Sequence, residues 1–238
     1  MARLPILMYH NVVTNEKLSV GLSIWVDKLE AQFQYLVQNN YSTFHFYELD
    51  KANKLPQKSV VLTFDDVTEN QLLFAAPLLE KYNLKATFFI PFQYIGKTDL
   101  WNNDSSTKIM TLEQLQLLKQ NFIELGHHSF KHRGYASLTE VEIEEDFKNC
   151  YDYIKQAGLT VSPVLAYPYG NFPKKGIQNK VFKKILQKNN IKYGLRIGNR
   201  VSSFPFTNPY AIKRIDIKGE DSLFVFKIKL KIGKLRLF

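Results

Sequence analysis

The chain has 238 residues, 45% of them hydrophobic, enough to bury the core of one globular domain. No run reaches the roughly 18 consecutive apolar residues that a bilayer span requires, and the single cysteine, Cys150, excludes an intramolecular disulfide and suits a reducing compartment. The formal charge of +10 is uneven, with 17 Lys and Arg against 3 Asp and Glu from Lys174 onward and 15 against 19 before it. Such asymmetry points to solubility or to an anionic neighbour. Nucleic acid is not expected as that neighbour, because the basic segment carries no helix-turn-helix, finger or RNA-binding motif.

In chain order, Pro5 to Val13 reads as an apolar strand and Ser23 to Asn39 as a helix, through Ile24, Leu29, Phe33 and Leu36. Thr43 to Phe46 reads as strand and Glu48 to Asn53 as a short helix, before a turn at residues 55–58 and a strand from Ser59 to Phe64. Leu72 to Tyr82 is expected to be helical and Ala86 to Pro91 a strand. Residues 96–108 form a polar loop containing Trp101, Asn102 and Asn103. Trp101 is expected to anchor that loop to the core, the alternative being a platform for a sugar ring. Thr111 caps a helix expected to run to Asn121, and Phe122 to Leu125 is a strand feeding Gly126. Thr139 opens a helix with its acids early and its lysines late, ending at Gly158. Then come a strand at residues 164–167, a helix at 180–189, and strands at 192–196 and 212–217. The alternation of strand and helix argues for a parallel sheet and is compatible with a barrel that carries its active residues at the strand C-termini.

Chemistry concentrates at two places. The apolar run from Ser59 ends in two adjacent carboxylates, Asp65 and Asp66. Neighbours on a strand face opposite ways, so both serve one site only if the chain turns at the strand's end. One can then hold a metal while the other acts as a base on water. Three of the five histidines, His127, His128 and His132, fall within six residues, and an H-x-x-x-H pair with a separate carboxylate supplies three ligands for zinc or a similar divalent ion.

These residues resemble the polysaccharide deacetylases of carbohydrate esterase family four, which carry the nodulation-deacetylase homology domain. Thr63-Phe64-Asp65-Asp66 is similar to the family's first motif, His128-Ser129-x-x-His132 to its second, and Ala166-Tyr167-Pro168-Tyr169-Gly170 to its third, in the same order. The resemblance implies an irregular (β/α) barrel with about seven strands and a metal-dependent N-deacetylase acting on an N-acetylated sugar or glycan. Carried over by position, Asp65 is the base, Asp66, His128 and His132 hold one divalent ion, with zinc the expected one, and His127 is not a ligand. Pro168 and Tyr169 border the substrate, with the Tyr169 backbone N–H a donor to the oxyanion. Many members place the acid histidine near the C-terminus, yet no histidine follows His132. Met8-Tyr9-His10 instead resembles the permuted branch, which assigns His10 as general acid. Two further departures matter. Val67 stands where a glycine commonly follows the two acids, and Ala166 where an arginine often orients the base; Arg214 is the first candidate to replace that arginine and Arg196 the second.

The expected organisation is one deacetylase domain over residues 1–238, with a basic C-terminal strand or tail from about residue 222. From Phe226 that segment alternates apolar and cationic residues, as a half-buried strand would. The first ten residues lack a signal-peptide core, so a cytoplasmic enzyme is expected, with weak contact to an anionic membrane surface as an addition. Two other readings remain open from sequence: a carbohydrate-binding or scaffold protein on the same fold, and an amidase or esterase on a non-sugar acyl group.

Overall fold

The computed structural model describes residues 1–101 and 106–234. Seven parallel strands close into a barrel: β1 (Ile6–Tyr9), β2 (Ser59–Asp65), β3 (Ala86–Ile90), β4 (Ile123–His127), β5 (Val164–Ala166), β6 (Tyr193–Ile197) and β7 (Ile212–Asp216). Each strand pairs with its successor, and β7 pairs with β1. A short strand, Ser42–Thr43, adds to the side of β2. Ala2–Leu4 and Ser202–Phe204 form an antiparallel pair, and Asn11–Val13 pairs with Ser23–Trp25.

Strand parity sets what faces the lumen. On β2, Val61 joins Phe89, Val164, Ala166, Leu195 and Ile212 in the apolar barrel interior, and Thr63 and Asp65 follow it at the same period of two. Outside the strands lie α1 (Val26–Gln38), α2 (Phe46–Leu49), α3 (Ala76–Lys81), α4 (Leu112–Gln116), α5 (Glu140–Ala157) and α6 (Gly176–Lys188); Val60, Leu62 and Phe64 point outward into the cluster formed with α1, α3, α4 and α5, while Phe46 and Leu49 of α2 pack with the lumen residues. On β7, Ile212 lies in the lumen and Arg214 and Asp216 stand above it towards the mouth. Parity thus delivers polar groups to the C-terminal rim of an otherwise apolar barrel.

Several element boundaries differ from expectation. The strand expected over residues 5–13 is broken at His10, and α1 begins at Val26 because Ser23–Trp25 is spent on pairing with Asn11–Val13. The helix expected from Leu72 opens as a wide π turn, Gln71–Ala75; Pro77 has no N–H to donate and disfavours a regular turn there. The helix after Thr111 stops at Gln116, and Ala86 N–H bonds Phe122 O at 2.8 Å as the chain turns into β4. Asn102 and Asn103 of the polar loop lie outside the described residues, as do residues 235–238 of the expected last strand.

The largest correction is that last strand, which is a helix, α7 (Leu223–Ile232). Ser222 caps it, accepting from Val225 N–H at 3.3 Å. Each barrel strand is flanked on both sides by another, and the start of β2 that projects beyond its pairing with β1 is taken by Ser42–Thr43. As a helix the same residues turn Phe226, Lys229 and Leu230 inward at helical spacing, and Lys229 Nζ donates to Asp216 O (2.8 Å) and Asp221 Oδ2 (2.5 Å).

Packing inside the barrel is tight at Gly126 on β4. A Cβ there would sit 2.6 Å from Phe89 Cε1 and 3.0 Å from Val164 Cγ1. Gly126→Ala is therefore expected to destabilise the protein by about 1–3 kcal/mol through overpacking. Urea unfolding checks this, and an unchanged midpoint would show that the lumen has room to spare.

Candidate active site

At the C-terminal mouth of the barrel a cavity of about 250 Å³ is lined by His10, Asp65, Asp66, His128, His132 and Arg214, with Tyr169, Trp101 and Asp216 at its rim. The three sequence motifs and both outlying candidates, His10 and Arg214, therefore meet in one place. Arg196 does not join them, since its guanidinium bonds Ile197 O.

Asp65 ends β2 facing the lumen, and Arg214 grips it with two parallel bonds, Nη1 to Oδ1 at 2.6 Å and Nη2 to Oδ2 at 2.7 Å. Both residues are buried. Burial alone would raise the Asp65 carboxyl; the Arg214 charge, with smaller help from His128 and His10, outweighs it and holds the group well below the usual carboxylate range. Thr63 Oγ1 supports the guanidinium at 3.3 Å and itself donates to Leu7 O at 2.8 Å. His10 Nε2 lies 3.6 Å from Asp65 Oδ2.

Asp66 would point away from the lumen if β2 continued. Its backbone instead takes a left-handed conformation (φ 77°), followed by Val67 (φ 43°), and the reversal turns its carboxylate back to the site. Valine does adopt the geometry that glycine would reach without strain. The turn is held from several sides: Met110 N–H donates to Val67 O at 2.9 Å, and Gln71 Nε2 donates to Asp65 O (2.6 Å) and His10 O (3.0 Å).

Parity also separates the histidines. His127 shares the outward side of β4 with Ile123, packs against Phe92 and Tyr151, and is pushed down to about 4 by burial. His128 faces the site. Its Nδ1–H donates to Ala166 O at 2.7 Å, which leaves the Nε2 lone pair directed into the cavity. Burial lowers this imidazole to about 4, against the opposing pull of Asp65 and Asp66. His132 reaches the same point through a left-handed turn (φ 51°), with Trp101 stacked on its ring at 3.8 Å between centroids and Tyr169 against its edge at 4.9 Å. Trp101 is held edge-on by Tyr94 as well. Its loop is thus fastened onto a candidate ligand at the cavity rim.

Asp66 Oδ1, His128 Nε2 and His132 Nε2 converge. The separations are 3.5 Å from Asp66 to His128, 3.3 Å from Asp66 to His132 and 3.3 Å between the imidazoles. Two donors each about 2.0–2.1 Å from one ion at a tetrahedral angle lie about 3.3–3.4 Å apart. Asp66 Oδ1 is moreover buried without a hydrogen-bond partner. The three residues fit a divalent ion by donor chemistry and spacing, and among the described residues they are the group so placed.

Three supporting residues carry no local sequence signal. Asp146 of α5 accepts from Phe130 N–H (3.0 Å) and Tyr135 Oη–H (2.8 Å), bracing the loop between the two histidine ligands. Gln71 ties the ends of β1 and β2 together, and Asp216 contributes a buried carboxylate to the cavity wall. Gln71 reaches back to His10 and Asp146 to the loop that precedes α5, and no local pattern marks either pairing. Only the inward parity of Asp216, two residues after Arg214, was readable in advance.

Comparison with known proteins agrees with this geometry. Residues 52–194 match the family model described as polysaccharide deacetylase. The poly-beta-1,6-N-acetyl-D-glucosamine N-deacetylase of Staphylococcus aureus is 28% identical over 201 residues, covering 82% of this chain and 64% of that protein. The chain spans 58–64% of the length of the curated relatives it matches. Among solved structures, the Streptococcus pyogenes deacetylase PplD in complex with acetate has a TM-score of 0.79 at 24% identity, covering 96% of this chain and 98% of that one. IcaB from Ammonifex degensii has a TM-score of 0.74 at 21% identity, covering 92% and 93%. These two share the fold. The family match takes in Asp65, Asp66, His128, His132, Pro168 and Tyr169 and leaves His10 and Arg214 to be brought in by closure of the barrel. With more than half of its length matched, the chain belongs to the polysaccharide deacetylase family.

Proposed function

We propose that the protein is a metal-dependent hydrolase that removes the N-acetyl group from an N-acetylated sugar or glycan. The observation that carries this reading is the convergence of Asp66 Oδ1, His128 Nε2 and His132 Nε2 beside an arginine-clamped Asp65, with His10 3.6 Å from that carboxylate. The name of the Staphylococcus aureus relative supports an amino-sugar polymer as substrate.

Two imidazole nitrogens and one carboxylate oxygen suit zinc or an ion of similar preference. Such an ion supplies Lewis-acid polarisation of the amide carbonyl and acidifies a water. Asp65 takes the proton as that water attacks the carbonyl carbon. A carboxylate held below its usual range is a weaker base than a free one, so an ion that acidified the water would ease this transfer. That relation links the Arg214 clamp to the ligand set. The Tyr169 backbone N–H, in a left-handed turn (φ 58°) packed on His132, is assigned to the developing oxyanion, with Pro168 beside it on the substrate wall. His10 protonates the departing amine; the carbon–nitrogen bond breaks, and acetate and the free amino sugar leave.

Removal of a ligand separates metal binding from proton transfer. His128→Ala is expected to lose most bound divalent metal after dialysis, whereas Asp65→Asn and His10→Ala retain it. Stoichiometric metal in the His128 variant would place the ion elsewhere. Acetate release from N-acetylated oligosaccharides should fall by about 10²–10⁴-fold in the Asp65 and His10 variants. Full activity in either would withdraw its assigned role.

Arg214→Met leaves the buried Asp65 without its partner, which costs about 3–5 kcal/mol if the carboxylate stays charged. The cost is reduced if Asp65 takes up a proton, because burial alone raises its pKa. The Arg214 variant should therefore lose activity most at low pH, its acidic limb moving upward relative to the parent enzyme. A kcat/KM profile that drops uniformly, with no shift of that limb, would assign Arg214 a purely structural part.

A further inference from the structure

Helix α7 has an unusual composition for a helix on a globular surface. Seven of its ten residues are apolar and three are lysine. A solvent-facing helix normally opposes an apolar stripe to a polar face, and a helix apolar all round is normally buried. Here only one side is covered: Phe226 meets Tyr35 of α1 edge-on at 6.2 Å, with Lys229 and Leu230 buried beside it. The opposite side presents Phe224, 72% exposed, and Ile232, 46% exposed, together with the exposed Lys231, while Lys227 turns over the Tyr35 ring of α1 at 4.8 Å from its centroid. From Leu223 onward the sequence contains no acidic residue.

The loop before α1 extends this surface to the active site. Ser19 Oγ donates to Gly219 O at 2.7 Å, and Gly219 N–H donates to Gly21 O at 3.0 Å, so this loop lies on the turn that leads into α7. It holds Leu18 and Val20 at 60% and 65% exposure. Leu22 and Lys218, from the same two segments, line the catalytic cavity. The acids of these segments are partly engaged: Glu220 accepts from Gly21 N–H at 2.8 Å and Asp221 from Lys229 at 2.5 Å, while Glu16 stands exposed next to Lys17.

We propose that this surface, with Leu18, Val20, Phe224 and Lys231 at its centre, docks on an anionic lipid bilayer and brings the cavity mouth close to it. Apolar side chains interspersed with lysines suit that partner, the former entering the acyl boundary and the latter reaching lipid headgroups. A second copy of the chain suits it less, because a two-fold contact would set the lysines of α7 against their own equivalents. The proposal concerns where the enzyme works and does not depend on the deacetylase reading.

Co-sedimentation of the full chain with vesicles tests it without turnover. The protein is expected to bind phosphatidylcholine vesicles containing phosphatidylglycerol at low salt, to be released at high salt, and to bind phosphatidylcholine alone weakly. Lys231→Gln should lower the partition about fivefold, the equivalent of about 1 kcal/mol per lysine near the surface. Phe224→Ser should weaken binding as well, with thermal stability and acetate release from a water-soluble substrate unchanged in both variants. Absence of binding to anionic vesicles at low salt overturns the proposal. So does binding that is indifferent to salt and lipid charge, or that survives intact in a Phe224→Ser, Lys231→Gln double variant.

Discussion

The buried pair between Arg214 and Asp65 is the constraint around which the site is arranged. The two residues sit on strands that are not neighbours, since β1 lies between β7 and β2. The guanidinium meets the carboxylate only because the barrel closes and both side chains have inward parity. A buried ion pair is weak support for stability, as desolvation of both charges offsets their attraction. Here its consequence is chemical: it keeps Asp65 ionised in a setting that would otherwise protonate it, and thereby lowers its basicity. The three converging donors of Asp66, His128 and His132 lie next to this pair, with His128 Nε2 3.9 Å from Asp65 Oδ2.

Backbone strain is concentrated at the same rim. Asp66, Val67, Ser129, His132 and Tyr169 all have φ between 43° and 77°, and every one belongs to or adjoins a motif. Left-handed conformations at residues other than glycine cost of order 1–3 kcal/mol each, so they persist only where surrounding bonds determine them. At Val67 those bonds come from Met110 and, two residues earlier at Asp65, from Gln71; in the histidine loop they come from Asp146. The gain is directional. Strand parity alone would place one of two adjacent carboxylates outside, and the turn at Asp66 returns it to its neighbour's side.

Much of this was legible because it is local. The apolar run ending in Asp65 and Asp66, the spacing of His128 and His132 and the strand-end position of His10 are short-range patterns with a chemical reason behind them. Arg214 was reachable by a subtler route, as a cation at the end of a late strand, and Arg196 could not be told from it without knowing which strand is in register with which. Asp146, Gln71 and the Trp101 stack on His132 were not legible: each joins elements distant in sequence, and nothing near them marks their partner. Helix boundaries failed where a residue served tertiary pairing, as at Ser23–Trp25, or lacked a donor, as at Pro77.

The C-terminal segment shows how topology overrides pattern. Alternation of apolar and cationic residues from Phe226 fits a strand with one buried face, and that inference presumes an edge to join. Each of the seven barrel strands already has a neighbour on both sides, and the projecting start of β2 is taken by Ser42–Thr43. Coiled into α7, the segment gains an inward lysine that the strand pattern would have left in water: Lys229 is buried and binds the backbone oxygen of Asp216, the last residue of β7. α7 thus secures the strand end from which Arg214 reaches Asp65. The helix that holds the end of β7 on its inner face is the same one whose outer face carries Phe224 and Lys231, so the support of the Arg214 strand and the exposed apolar and cationic residues are two sides of one element.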